Sequence, residues 1–202
     1  DGLAEALLLT DWYLPAVAGR PPPPALRQAY AAAWRQVLAP VAAKRETLVL
    51  RDYHVDNLLV LPGRQGVAAC GLLDFQDALL GARAYDLVSL LEDARRDVPA
   101  PLAAAMLDRY LAGAAELDRA AFLTDYALLG AQRSAKIVGI FTRLDRRDGK
   151  PRYLAHIPRL WRLIEGDLKH PALAPVAEWF AAHLPAALRI QPEAASGQGV
   201  PR

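Results

Sequence analysis

The sequence predicts an α+β fold that is mainly helical and carries a small antiparallel β-structure near its middle. Apolar residues recur every three or four positions over 5–17 and 25–43, which is the period of an amphipathic helix. Short runs of strand-forming residues, separated by turns, then occupy 47–73, and the helical pattern returns after 85. A chain of 202 residues is long enough to form one domain with a sizeable core.

The first predicted helix runs from Glu5 to Val17, and Pro15 is expected to bend or end it because a proline lacks the amide proton. Four consecutive prolines at 21–24 cannot continue a helix, so they predict a stiff connector. The pattern from Ala25 to Ala43 then predicts a second helix, which leads to the β-structure.

Three strands are predicted next, at Thr47–Leu50, Leu58–Leu61 and Val67–Leu73. The sequence Pro-Gly-Arg-Gln-Gly at 62–66 is typical of a turn and separates the second strand from the third. This arrangement predicts one small antiparallel patch within an otherwise helical chain.

Helices account for most of the remaining chain. The predicted segments are Leu87–Leu91 capped by Asp86, Pro101–Gly113, Arg119–Leu144, Tyr153–Leu168 and Pro175–Leu184. Residues 1–190 are therefore expected to form one lobe. Residues 191–202 are rich in Gly, Ser, Pro and Ala, which predicts a disordered tail.

Composition argues against several classes of protein. The formal net charge is only +2, so no strong field favours nucleic acid or an anionic membrane as a partner. The sequence contains no apolar run of the ~20 residues needed to cross a bilayer and no secretory signal, so we expect a cytoplasmic protein. The single cysteine, Cys70, excludes an internal disulfide, and its apolar neighbours predict a buried, inert thiol.

Three oxygen-bearing side chains at the predicted strand junctions carry the chemistry. Asp52 and Asn57 lie five positions apart between two apolar runs, and Asp74 follows a third. Phosphoryl transfer needs a carboxylate near the acceptor hydroxyl and hard oxygen ligands for Mg²⁺, and it needs little covalent help from the protein. We therefore assign Asp52 as the base and Asn57 with Asp74 as metal ligands. The alternative is that Asp52 and Asn57 form a turn and Asp74 caps a loop.

The motifs around these residues resemble those of the aminoglycoside phosphotransferase/choline kinase family. The catalytic loop of that family reads His-Gly-Asp-x-x-x-x-Asn and its metal strand Ile-Asp-(Trp/Phe)-Glu. This chain has Leu50-Arg51-Asp52 with Asn57, and Leu73-Asp74-Phe75-Gln76. Leu50 thus replaces a bracing histidine, and Gln76 replaces the common glutamate and removes a charge near the metal.

The resemblance is closer to one branch of that family, the bacterial anomeric sugar kinases. It extends from about Leu7 to His183 and includes Ala84–Leu91 and Asp148–Tyr153. It implies the C-terminal lobe of a protein-kinase-like fold and an enzyme that uses ATP and Mg²⁺. It also implies a small-molecule sugar acceptor, N-acetylmuramate or N-acetylglucosamine, in cell-wall recycling.

Four further residues near the loop are candidates. Tyr53 and His54 could contact the sugar or brace the loop, and Asp77 could bind a sugar hydroxyl or cap the loop that follows. Asp86 resembles the structural aspartate of the family, which ties a helix start to the catalytic loop. We therefore assign Asp86 to support of the site rather than to catalysis.

Basic residues on the long predicted helix are candidates for an anionic part of the acceptor. Arg133, Lys136 and Arg143 fall near one face by spacing. They could form a solvated stripe. Alternatively, Arg133 or Lys136 could face the cleft and meet the lactyl carboxylate of muramate.

The chain lacks the nucleotide-covering part of a kinase. The sequence contains no G-x-G-x-x-G, and Lys44 lies at the end of a predicted helix, where we expect an exposed cation. The N-terminal lobe is therefore missing from this chain or separate from it. Two alternatives stay open: a kinase of another acceptor, such as an aminoglycoside, choline or homoserine, and a non-catalytic binding module.

Overall fold

The computed structural model describes residues 2–114 and 116–195, in which three α-helices precede and five follow a region with four three-residue strands. The helices are α1 Gly2–Ala6, α2 Leu14–Ala18, α3 Pro24–Ala42, α4 Ala84–Leu91, α5 Ala100–Ala112, α6 Arg119–Arg146, α7 Ile157–Asp167 and α8 Ala174–His183. The strands are β1 Thr47–Val49, β2 Leu58–Val60, β3 Cys70–Leu72 and β4 Leu79–Gly81. The prediction of a mainly helical α+β fold is confirmed.

The strands form two separate antiparallel pairs. Strand β1 pairs with β4, with Leu48 opposite Leu80, and β2 pairs with β3, with Leu58 opposite Leu72. Strand β4 was not predicted, because three residues ending in a glycine carry too little local signal. Its partner precedes it by about thirty residues, so the pairing depends on contacts that are distant in sequence.

One prediction in this region is correct only in part, and one is wrong. The predicted strand Val67–Leu73 is a 3₁₀ turn over Gly66–Ala69 followed by the short β3. Cys70 is exposed rather than buried. It lies opposite Val60 in a two-stranded sheet, and the side chain of Val60 is itself 88% exposed. The apolar run therefore does not enter a core here.

The chain divides into two units. Unit 1 contains residues 1–39 and 131–202, and unit 2 contains residues 40–130. The catalytic-loop residues predicted above lie in unit 2, and Arg133 and Lys136 lie in unit 1.

Unit 1 has an aromatic core. Tyr13, Tyr30, Trp34, Trp161 and Phe180 are all buried, as expected for helix anchors of this size. Tyr30 and Phe180 pack edge to face, with ring centroids 6.0 Å apart, and Phe180 packs on Trp161 in the same way at 5.7 Å.

The first predicted helix is broken into three pieces. Helix α1 is followed by a π-helical turn over Leu9–Tyr13 and then by α2, in which Pro15 lies in the first turn. Proline is tolerated there because a first-turn amide has no partner within the helix. The helix ends at Gly19, whose φ of +71° is a left-handed C-terminal conformation suited to glycine.

The hydroxyl of Tyr13 joins distant parts of unit 1. It accepts hydrogen bonds from Trp161 Nε1 and from the Ile190 amide, both at 3.0 Å, and lies 2.6 Å from the Leu188 carbonyl oxygen as a donor. Burial raises the pKa of Tyr13 to about 12. A single hydroxyl therefore fixes the segment that follows α8.

Helix α6 approaches the start of the chain closely at Gly139. A Cβ atom at this position would collide with the backbone carbonyl of Leu8. Nearby, the Gln132 amide donates to the Gly2 carbonyl at 2.9 Å. The absence of a side chain at Gly139 is what permits this backbone contact.

Unit 2 contains a partly buried ion pair that the sequence did not reveal. The ammonium of Lys44 contacts the carboxylate of Asp125 on α6 and lies 3.5 Å from Glu46. Asp125 is buried, so the cation balances a charge that would be costly to bury alone. Lys44 is therefore not the exposed helix-end cation that we expected.

Within the described residues, every helix is too short or too polar to cross a lipid bilayer. Residues 191–195 adopt neither helix nor strand, and the amide of Ala195 lies 3.0 Å from Asp145 Oδ2. Residues 196–202 of the predicted tail lie outside the described residues.

We expect Gly139→Ala to destabilise the protein by about 1–3 kcal/mol, since the added methyl group forces two backbones apart. Gly166→Ala is the matched control, because Gly166 also lies in a helix but a Cβ there meets nothing within 4 Å. That control should stabilise the protein by up to about 1 kcal/mol through its higher helix propensity. Urea unfolding measures both, and equal effects of the two substitutions would contradict this account of Gly139.

We expect Tyr13→Phe to lower the free energy of unfolding near neutral pH by about 2 kcal/mol, because buried donors lose their acceptor. The pKa of Tyr13 is raised from 10 to about 12 on folding. Its contribution to stability is therefore fully present below pH 10 and is lost as the pH rises through 12. Stability should therefore fall less steeply between these values in the variant. Burial also raises the pKa of Tyr30, but this residue is present in both proteins and affects both stability curves equally. Parallel stability curves from urea unfolding across this range would refute the assignment.

Candidate active site

The loop that connects β1 to β2 contains the predicted base, Asp52. The Asp52 amide donates to the Leu50 carbonyl at 2.9 Å, and Arg51 between them has a φ of +72°. A hydrogen bond to the second preceding residue around a left-handed residue describes a γ-turn, which is strained for a non-glycine residue. The turn brings Asp52 to the surface, where its side chain is exposed.

The carboxylate of Asp86, in the first turn of α4, braces this strained turn. Its Oδ2 accepts from the Leu50 amide at 2.7 Å, and its Oδ1 accepts from the Arg51 amide at 3.0 Å. Charged acceptors make stronger hydrogen bonds than neutral ones, so one side chain offsets much of the cost of the left-handed residue.

Asn57 ends the same loop, and two contacts fix its position. Its Nδ2 donates to the Asp52 carbonyl at 2.8 Å, so the amide oxygen of the side chain points away from that carbonyl. Its own carbonyl accepts from the Leu73 amide at 2.9 Å, so the residue before Asp74 is paired with Asn57 across the strands. Asn57 and Asp74 are therefore brought to neighbouring strand ends.

Asp74 follows β3 and is the second non-glycine residue with a left-handed backbone, at a φ of +56°. Its side chain is exposed, and its Oδ1 accepts a hydrogen bond of 2.6 Å from Gln76 Nε2. Left-handed residues cluster at functional sites, because the surrounding structure must stabilise them.

These donors fit a divalent cation of the Mg²⁺ type. Such an ion takes one or two protein carboxylates and completes its shell with water and phosphate oxygens. Asp74 offers a carboxylate and Asn57 an amide oxygen. Across residues 2–114 and 116–195 no cluster of three or more His, Cys, Asp or Glu side chains could hold a metal ion. The donor set therefore suits an ion shared with a phosphate ligand better than a closed protein cage.

The other predicted loop residues lie in or beside the same loop. Tyr53 is half-buried, and burial raises its pKa, with further contributions from Cys70 and Asp86. His54 Nε2 lies 3.5 Å from Asn57 Nδ2, and its Nδ1 lies 4.0 Å from Asp56. Asp77 is an exposed residue of the turn that follows Asp74. Their roles in binding a substrate stay predictions.

Arg133 and Lys136 lie on the part of α6 that belongs to unit 1. Arg133 is buried, and the ammonium of Lys136 lies 2.8 Å from Glu5 Oε1 in a partly buried ion pair. Lys136 therefore already has an anionic partner within unit 1. Recognition of an anionic acceptor by either residue stays a prediction.

Sequence reasoning missed two contacts that position the loop. Arg96 forms a 2.9 Å ion pair with Asp56, and the buried Asp93 accepts from the amides of Arg95 and Arg96. Aspartate two or three residues before its donors is a turn signal that could have been noted. The pairing with Asp56, forty residues earlier, carries no such local signal.

Comparison with known proteins gives one family match. A model of the phosphotransferase enzyme family matches residues 1–123, which include the catalytic loop, β3 and Asp74. The match therefore covers more than half of the chain and all the residues of the candidate site in unit 2.

Curated relatives share one name, N-acetylmuramate/N-acetylglucosamine kinase. The protein from Caulobacter vibrioides is 50% identical over 78% of this chain and 45% of its own length. Those from Pseudomonas aeruginosa and Neisseria meningitidis serogroup B are 35% and 36% identical, over 88% and 86% of this chain and 53% of their own lengths. The chain thus spans about half the length of these relatives.

We expect Asp86→Asn to release the catalytic loop, because the two amides bind different carboxylate oxygens and an asparagine offers only one acceptor. Amide hydrogen exchange at Leu50 and Arg51 should accelerate, and stability should fall by about 2 kcal/mol. Asp118→Asn is the control, since Asp118 accepts from Ala120 and Ala121 through one oxygen, which asparagine keeps. Unchanged exchange at Leu50 and Arg51 in Asp86→Asn would contradict this role.

Proposed function

Because the chain belongs to the phosphotransferase enzyme family, we propose that it is the catalytic lobe of an ATP-dependent kinase. The acceptor is a hydroxyl of N-acetylmuramate or N-acetylglucosamine, as the names of the relatives suggest. The observation that carries the proposal is the pairing of Asn57 with Leu73, which brings Asp74 beside the loop of Asp52.

Asp52 is the base in this mechanism. Its exposed carboxylate accepts the proton of the acceptor hydroxyl as that oxygen bonds to the γ-phosphorus of ATP and the bond to the β-phosphate oxygen breaks. The γ-turn at Arg51 and the bonds to Asp86 keep Asp52 at the loop tip. Most of the catalysis in this reaction class comes from such positioning.

Asn57 and Asp74 would hold the metal ion. The amide of Asn57, oriented by its bond to the Asp52 carbonyl, presents its oxygen, and Asp74 presents a carboxylate oxygen. Mg²⁺ bound there would neutralise charge on the phosphate oxygens. The bond from Asn57 to the Asp52 backbone also couples the position of a metal ligand to that of the base.

A second lobe, preceding this chain or separately encoded, binds the nucleotide and covers exposed apolar side chains of the two sheets. These side chains lie on the strands and in the loops beside them, namely Leu48, Val60, Val67, Phe75 and Leu80. Val60 and Val67 are about nine-tenths exposed, and neighbouring exposed apolar side chains often mark a surface that a partner covers. The relatives, about twice as long as this chain, have room for such a lobe.

The proposed setting is the cytoplasm, where sugars released from the cell wall would be phosphorylated for reuse. A kinase for another small alcohol has less support, since the curated relatives named above share one acceptor pair in their names. The binding-module alternative would not need an exposed base, an oriented amide and a carboxylate at one strand junction.

The test uses the complete natural protein that carries this chain, γ-labelled ATP, and N-acetylmuramate or N-acetylglucosamine as acceptor. Label should move to the sugar, and Asp52→Asn should lower kcat by about 10²–10⁴-fold with little change in KM. Asp108→Asn is the matched control, since Asp108 is an exposed carboxylate of α5 paired with Arg119 outside the loop, and it should keep most of the activity.

Full turnover by the Asp52→Asn variant would overturn the assignment of the base. Absence of transfer to either sugar by the wild-type protein, with transfer to another alcohol, would move the proposal to that acceptor. Absence of transfer to every acceptor would favour the binding module.

A further inference from the structure

Gln76 contacts the proposed metal ligand directly. Its Nε2 donates to Asp74 Oδ1 at 2.6 Å, a short distance for a neutral amide and a carboxylate. Both side chains are exposed. An exposed carboxylate rotates freely unless something holds it, so this bond restricts the directions in which Asp74 can point.

The backbone around Gln76 is itself fixed. The Ala78 amide donates to the Phe75 carbonyl at 3.1 Å, which closes a β-turn with Gln76 at its first central position. On the other side, the Leu73 amide is bound to Asn57. Asp74 and Gln76 are thus held from both ends, and the amide of Gln76 reaches back by two residues to the carboxylate.

The chemistry of the amide determines what this contact can do. A glutamine side chain is uncharged, and its nitrogen donates but cannot accept. The bond therefore occupies one oxygen of Asp74 and leaves Oδ2 to bind a cation. The same nitrogen cannot itself bind a metal ion, so this hydrogen bond acts on a cation through Asp74.

We propose that Gln76 is a positioning residue for the divalent cation: it holds Asp74 so that the carboxylate coordinates through a single oxygen. This inference rests on the proposed function, in which Asp74 is a metal ligand. Residues that orient a ligand contribute to metal affinity although they do not touch the metal.

Two substitutions at Gln76 should have opposite effects on affinity. Gln76→Leu removes the hydrogen bond and should weaken binding of the cation by about tenfold. Gln76→Glu also loses the donor to Asp74, but it places a second carboxylate beside the first. It should tighten binding, because affinity for such ions rises with the charge of the ligands. A merely structural role would predict a change in the same direction for both variants.

The experiment measures binding of Mn²⁺ alone, as a spectroscopic substitute for Mg²⁺, from the loss of the free-ion electron paramagnetic resonance signal. It compares the wild type with Gln76→Leu, Gln76→Glu and Asp74→Asn. Gln65→Leu is the matched control, since Gln65 is an exposed glutamine in the turn before β3 and should bind Mn²⁺ as the wild type does. Circular dichroism melting curves confirm that each variant is folded.

The expected result is loss of binding in Asp74→Asn, weaker binding in Gln76→Leu and tighter binding in Gln76→Glu. Binding that depends on Asp74 but is equal in the wild type and Gln76→Leu would overturn this inference and leave the proposed function intact. The same holds if both Gln76 variants change affinity in one direction. Binding that is unaffected by Asp74→Asn, or absent from the wild type at millimolar Mn²⁺, would overturn the metal assignment as well.

Discussion

Two backbone amides converge on the carboxylate of Asp86, and the geometry of the candidate site depends on this interaction. The loop between β1 and β2 reverses direction around Arg51 in a conformation that costs a non-glycine residue about 1–2 kcal/mol. Hydrogen bonds to a charged acceptor offset that cost. The direction of Asp52 follows from the turn, and the amide of Asn57 is in turn held by the Asp52 carbonyl. A residue about thirty-five positions away thus determines where the proposed base and one metal ligand lie.

The two units are stabilised by different kinds of interaction. Unit 1 relies on large buried rings and on one tyrosine hydroxyl that bonds to groups from two other segments. In unit 2 the site is built on strands of three residues, whose few ladder hydrogen bonds provide little rigidity by themselves. Side-chain bonds to the backbone, from Asp86, Asn57 and Asp93, supply the rest. Hydrophobic packing stabilises the first unit, and polar bonding specifies the shape of the site in the second.

The part of this structure that could be predicted from sequence is the part encoded locally. Helix periodicity predicts most helices to within a few residues. The spacing of Asp52, Asn57 and Asp74 predicts a shared site, and the bond between Leu73 and Asn57 brings two of the strand ends together. Strand β4, the pairing of Arg96 with Asp56 and the exposure of Cys70 depend on residues far away in sequence. Alternating polar and apolar residues predict that a strand forms, but they do not predict which strand pairs with it or whether anything covers the sheet.

The exposed side chains of the two sheets also affect how the chain behaves in solution. Leu48 and Leu80 lie opposite each other and are 59% and 56% exposed, on a sheet whose two outer edges are unpaired within the described residues. Open edges beside apolar side chains allow one molecule to add its strands to another. A net charge of +2 provides little repulsion against such association. The colloidal stability of the isolated chain therefore depends on covering the exposed apolar side chains of this sheet. Changes in ionic strength alone will do little to improve that stability.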